Sequence, residues 1–132
     1  MDINKTPKYL IETDILINYL TAPDPINQSY LLNLMQKGIC FTSVLNATEL
    51  CMLAKSDLEK EKVRDLLYAL KVLGLPARYS LSVLDLNSKI KNIRDVLFYI
   101  LAEKNRLSIV TFNIKKYKGL KVPIISPDKL AF

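Results

Sequence analysis

The chain has 132 residues, half of them hydrophobic, with three Gly and six Pro, which suits one buried core and argues against a linker-rich or low-complexity chain. It contains no His, which excludes Ser-His-Asp triads, Cys-His pairs, imidazole bases and most zinc sites, and leaves carboxylates, Lys, Tyr, Cys, Ser or an oxygen-ligated metal for any chemistry. The net charge of +6 is uneven: residues 1–88 hold nine Lys/Arg against ten Asp/Glu, and residues 89–132 hold ten against three.

Tyr9-Leu10-Ile11 is a short apolar run that suits a buried parallel strand. Glu12-Thr13-Asp14 ends it, and Ile15 to Leu20 reads as a helix closed by Pro23 and Pro25, with Asp14 placed to cap it. A second helix is expected over Ile26–Gln36, stopping at Gly38, and Ile39–Thr42 is the next strand. Ser43 can cap a helix that runs to about Ala54. Asp57 opens a long amphipathic helix, Leu58–Leu73, with Leu66, Leu67, Leu70 and Leu73 on one stripe and Gly74 beyond its end. A short strand or loop near Ala77–Tyr79 and a helix around Leu81–Ile90 are expected next. Asp95 begins an apolar helix, Val96–Lys104, and the strands Leu107–Thr111 and Val122–Ser126 follow, the last placed at an edge by Pro123. Strands alternating with helices predict one α/β domain over residues 1–132: three layers, with a mainly parallel sheet of about four to five strands flanked by helices.

No run reaches the ~18 apolar residues of a membrane span, and Met1 to Lys8 does not read as a signal peptide. Cys40, on a strand, and Cys51, on a helix, lack zinc-site spacing and read as free thiols acting as small hydrophobes in a reducing cytoplasm. The expected location is therefore cytoplasmic. The basic second segment is what a phosphate backbone attracts, although a solvated Lys-rich surface has the same composition.

Three acids stand where a charge is unexpected. Glu12 lies between Tyr-Leu-Ile and an Ile-Leu-Ile helix; Glu49 has Leu45, Met52 and Leu53 as its helical neighbours; Asp95 precedes seven apolar residues. An ionised carboxylate in such surroundings must be paired, protonated or bound to a cation, and only Arg94 is close in sequence as a partner. In an open α/β sheet, groups at the carboxyl ends of strands and on adjacent helix starts converge on one crevice, and Glu12 and Asn113 both follow strand ends. Oxygen donors without His or thiolate point to Mg²⁺ or Mn²⁺ in preference to Zn²⁺. Plainer readings stay open: Asp95 as a helix-dipole partner, Glu12 as a solvated loop residue, and Thr111 as a β-former instead of a hydrogen-bonding residue near the site.

Four segments, in order, resemble the PIN-domain nucleases, particularly the toxins of the virulence-associated protein C type. They are residues 9–20, YLIETDILINYL; residues 42–50, TSVLNATEL; residues 94–102, RDVLFYILA; and residues 109–117, IVTFNIKKY. Glu49 and Asp95 fall on the family's Glu and Asp. Glu12 stands where the family usually has Asp, and Asn113 stands at its last polar site. The resemblance implies a metal-dependent endoribonuclease, cleaving RNA phosphodiester bonds as the toxin of a type II toxin–antitoxin pair. It implies that Glu12, Glu49 and Asp95 are catalytic and, with Asn113, hold one or two Mg²⁺ or Mn²⁺ ions, supported by Asp14 and Thr111. Lys115, Lys116 and Lys118 would hold the RNA backbone, with Tyr99 and Tyr117 either stacking on bases or packing in the core. A homodimer and an antitoxin partner are implied, and no membrane. The alternative is a catalytically weak or silent PIN-fold module that binds nucleic acid or protein.

Overall fold

The computed structural model describes residues 5–86 and 89–130. Five parallel strands form one sheet in the order β3-β2-β1-β4-β5: β1 Lys8–Ile11, β2 Ile39–Ser43, β3 Lys71–Leu73, β4 Ser108–Val110 and β5 Ile124–Ile125. Among the described residues, seven α-helices lie between them: α1 Thr13–Thr21, α2 Pro25–Gln28, α3 Leu31–Lys37, α4 Val44–Leu53, α5 Asp57–Ala69, α6 Arg78–Ser82 and α7 Ile93–Asn105. The expected α/β architecture is present, with five strands.

The alternation along each strand divides the core into two. Tyr9, Ile11, Cys40 and Val110 face α1, α3 and α5, where Ile15, Leu16, Leu31, Leu34, Val63 and Leu66 cover them. Leu10 and Ile109 face α7, against Phe98, Tyr99, Leu101 and Ala102, with Tyr117 and Val122 completing that layer. A strand buried on both faces needs apolar residues at every position, which is why Tyr9-Leu10-Ile11 is continuous and not alternating. Burial pushes the Cys40 thiol up to about 12, while Cys51 is exposed.

Several elements differ from the sequence expectation. The helix expected over Ile26–Gln36 is two, because the chain leaves the helix at Ser29 and re-enters at Leu31. Gly38 ends α3 for a packing reason, since its φ is the extended −162°. A Cβ there would stand 2.4 Å from the Pro7 carbonyl oxygen, where β2 begins pairing with β1. Asp57 opens the long helix as expected, with Ser56 as its cap, and the helix stops at Ala69. Lys71–Leu73 pairs with Phe41–Ser43 as a strand, the sheet's hydrogen bonds outweighing a helical stripe. In place of a short strand or loop near Ala77–Tyr79 lies the start of α6, and a 3-10 turn at Val83–Asp85 replaces most of the helix expected at Leu81–Ile90, whose residues 87 and 88 lie outside those described. The edge position of β5, after Pro123, is as expected. Among the described residues, no helix is long and apolar enough to cross a membrane.

The chain runs outward from β1 through β2 to β3, then crosses back to β4 on the other side of β1. Such a reversal leaves a crevice at the carboxyl ends of the central strands. Glu12 leaves β1, Ser43 ends β2 and Thr111 leaves β4 at that edge.

Candidate functional site

Glu12 is the first residue beyond β1. Its amide donates to the Val110 carbonyl at 3.0 Å, which keeps it tied to β4, while its extended backbone makes it the cap of α1. Its Oε1 accepts from the Thr13 amide at 3.0 Å. Glu12 therefore caps this helix in place of Asp14, and it is 2% exposed, not a solvated loop residue. Asp14, in the first turn, reaches across to the exit of β4: its Oδ2 accepts from the Thr111 hydroxyl at 2.8 Å and the Phe112 amide at 3.0 Å. Its Oδ1 is buried and unpartnered. Thr111 in turn accepts from the Asn113 amide at 3.1 Å.

The second group descends from the α4 cap. Ser43 forms a capping box with Asn46, whose Oδ1 accepts from the Ser43 amide and hydroxyl. That turns the Asn46 amide toward the site, where it donates to Glu12 Oε1 at 3.1 Å and Thr13 Oγ1 at 2.8 Å. One turn along α4, Glu49 accepts from the Thr13 hydroxyl at 2.6 Å. Of α4 only Asn46 and Leu50 are buried, and Met52 and Leu53 are exposed, so Glu49's helix is not covered on most sides; the Glu49 side chain is 43% exposed at the rim of the cluster.

Arg94 joins these groups from the start of α7, a helix capped by Asn92. Its Nη1 and Nη2 donate to the two Glu12 oxygens at 2.7 and 2.5 Å, a two-pronged pairing of fixed geometry. Nη2 also reaches Glu49 Oε1 at 2.7 Å and Thr13 Oγ1 at 3.1 Å, and Nη1 reaches Asp95 Oδ1 at 3.1 Å. The guanidinium lies 5.1 Å from the Phe98 ring centre, and its Nε is buried without a partner. Lys116 adds a second cation, 3.4 Å from Asp95 Oδ1 and 3.5 Å from Glu12 Oε2. The Tyr117 hydroxyl donates to Glu12 Oε2 at 2.7 Å.

Burial by itself raises the Glu12 carboxyl's pKa. The hydrogen bonds and charge of Arg94, with the Tyr117 hydroxyl and Thr13 amide, outweigh it and hold the carboxyl at about 2. Tyr117 moves up, through burial and the Glu12 charge, and stays a neutral donor. Burial opposes the Arg94 charge, but its hydrogen bonds to Glu12 and Glu49 prevail and raise its pKa.

The three expected acids do converge, but on a guanidinium instead of an open cation position. Glu12, Thr13, Asp14, Glu49, Asn92, Arg94, Asp95, Asn113 and Lys116 line one opening of about 450 Å³. Among the described residues, no group of three acids or cysteines is arranged to hold a metal ion. Glu12 shows why: it accepts five hydrogen bonds, while a carboxylate offers about four lone-pair directions. A divalent ion demanding near-octahedral oxygen donors does not fit at Glu12 while Arg94 is in place. Charge leaves room for a cation, since four acids face two basic groups across the opening.

Asn113 is exposed at the rim, and Lys115 and Lys118 are exposed beyond it, so of the three lysines only Lys116 lines the opening. Tyr99 and Tyr117 are fully buried, which leaves core packing and closes the base-stacking role. Thr13 and Asn46 were not among the expected site residues; Arg94 was expected only as a possible ion partner of the acids, and Tyr117 only as a stacking or core residue. Arg94 had a signal, as the lone basic neighbour of Asp95, and Asn46 had one too: three residues before Glu49, it shares that residue's helical face.

The PIN domain family model matches residues 9–118. No curated protein matches the sequence. Among solved structures, a toxin–antitoxin complex from Klebsiella pneumoniae contains a similar chain, at 18% identity, with a TM-score of 0.72 over 90% of this chain and 97% of that one. VapBC2 from Rickettsia felis, bound to a DNA fragment from their promoter, gives 19% identity and a TM-score of 0.67 over 90% and 98%. VapC20 of Mycobacterium tuberculosis, a sarcin-ricin loop cleaving toxin, gives 11% identity and a TM-score of 0.56 over 79% and 87%. At these identities the likeness is one of fold, and the family model spans most of the chain. This chain belongs to the PIN-domain family.

Proposed function

We propose that the chain is an endoribonuclease and the toxin half of a type II toxin–antitoxin pair. The observation that carries this reading is the convergence of Glu12, Glu49 and Asp95 with Arg94 and Lys116 on one opening at the strand-order reversal of a PIN fold. Arg94 and Lys116 supply positive charge where a scissile phosphate would arrive. Glu49, partly exposed at the rim, is the carboxylate placed to orient an attacking water. Oxygen donors would select Mg²⁺ or Mn²⁺, but the arrangement with Arg94 in place does not fit either, so no step is assigned to an ion. An antitoxin partner is supported by the VapBC and toxin–antitoxin complexes among similar structures. A second copy would cover the apolar residues left open at Met52, Leu53 and Tyr68.

One observation favours a second reading, a catalytically silent module that binds nucleic acid or protein: the acids are already neutralised in part by the protein's own guanidinium. Cleavage of single-stranded RNA by the purified chain, with and without Mg²⁺ or Mn²⁺, decides between them. Asp95→Asn should lower cleavage at least about tenfold while RNA affinity changes little. A wild-type chain that binds RNA but cleaves none under any of these conditions leaves the silent module standing.

A further inference from the structure

The acids of the site are held together by a side chain whose charge does what a bound cation would do. Arg94 contacts Glu12, Glu49 and Asp95 at 2.5 to 3.1 Å, and these are the three carboxylates that the PIN resemblance assigns to a metal. Both carboxylate oxygens of Glu12 are engaged by its two terminal nitrogens. The longer Glu12 is matched to this: it extends from a fixed strand end far enough to take the guanidinium edge-on while Thr13, Asn46 and Tyr117 hold it from the other sides. Arg94 is nevertheless imperfectly satisfied. Its Nε is buried without an acceptor, and its chain neighbours Asn92 and Ile93 are exposed.

We propose that Arg94 is the resident cation of this site and competes with a divalent ion for Glu12, Glu49 and Asp95. The wild-type domain is then a closed form with low metal affinity, and withdrawal of Arg94 exposes the acids. This deepens the ribonuclease reading, on which it rests for the identity of the ion, by naming what governs access to the site. The physics is competition: the guanidinium occupies both Glu12 oxygens, so an ion must displace it to use them, and an ion that binds only the open form sees an affinity reduced by the open fraction.

The test is a Mn²⁺ titration of the full chain, following free Mn²⁺ by electron paramagnetic resonance and thermal unfolding in parallel. Arg94→Gln should bind Mn²⁺ at least roughly tenfold more tightly than wild type, with a larger rise in Tm. Arg94→Lys, which keeps the charge but loses the two-pronged pairing, should fall between them. Equal Mn²⁺ affinity in wild type and Arg94→Gln overturns the proposal. Should Arg94→Gln fail to fold, the wild-type side-chain N–H resonances of Arg94 serve instead. Their persistence in millimolar Mg²⁺ supports the competition, and their loss at low Mg²⁺ overturns it. The two readings fail separately. Tight Mn²⁺ binding and RNA cleavage by wild type would remove the competition and keep the ribonuclease. Tight binding by Arg94→Gln, with no cleavage by either protein, would keep the competition and remove the ribonuclease.

Discussion

At Glu12 a carboxylate is buried just beyond the end of β1, yet it stays ionised because Arg94 grips both its oxygens. Its carboxyl sits at about 2 in the fold against an ordinary 4.5. With the folded value depressed, the stabilisation is fully present above pH 4.5 and is lost as pH falls from there through about 2. The metal-free protein should lose on the order of 2–3 kcal/mol from this group across that window. In Glu12→Gln the acid-side slope of unfolding free energy should be shallower, and the variant should be less stable at pH 7 by roughly 3 kcal/mol, since Arg94 loses its main counter-charge. Parallel slopes for the two proteins between pH 5 and 2 would show that Glu12 is not the group protonated. That an unusual acid lay here was legible in the sequence, because Glu12 interrupts an apolar stretch. Arg94 was legible as a candidate partner for the acids, but that it would grip Glu12, 82 positions away, was not, because the two share no local pattern.

Elements obeyed their local signals where hydrogen bonds are local and departed from them where the sheet competes. Ser43 caps α4 as its position promised, and the same box orients Asn46 onto Glu12, so a helix cap becomes part of the site. Lys71–Leu73 continues a helical stripe in sequence but joins the sheet, because strand β2 offers it a ladder. Gly38 shows a third case. Local reading makes it a helix stop, whereas its lack of a Cβ is needed for the approach of Pro7 and Tyr9. Gly38→Ala would place a Cβ 2.4 Å from a backbone oxygen, and backbone yields less readily than a side chain. Chemical denaturation should therefore show a loss of at least about 2 kcal/mol, where a Gly→Ala change at an unstrained position brings a gain of about 0.4–1 kcal/mol. A neutral or stabilising effect would mean that the start of β1 adjusts freely.

For the whole molecule, the excess of Lys and Arg in residues 89–132 meets the acidic opening at Lys116, with Lys115 and Lys118 exposed alongside. If this is the RNA track, Lys115→Ala and Lys118→Ala should each weaken single-stranded RNA binding about equally for all sequences. Each should flatten the salt dependence by roughly 0.7 in slope. Lys116→Ala should do more, because it also strips a cation from Asp95 and Glu12. Affinity and slope unchanged in all three variants would make the segment a solvated surface only. The parallel α/β class, the strands at the centre of the sheet and the unusual charge of Glu12 could be read from the residues alone. Those follow from apolar periodicity and from charges in apolar context, both of which are local. What neutralises the acids follows from how the chain crosses over the sheet. The strand order carries α7 and the β4 exit to the end of β1, so that Arg94, Lys116 and Tyr117 surround Glu12, a juxtaposition that depends on chain crossing and not on any local pattern.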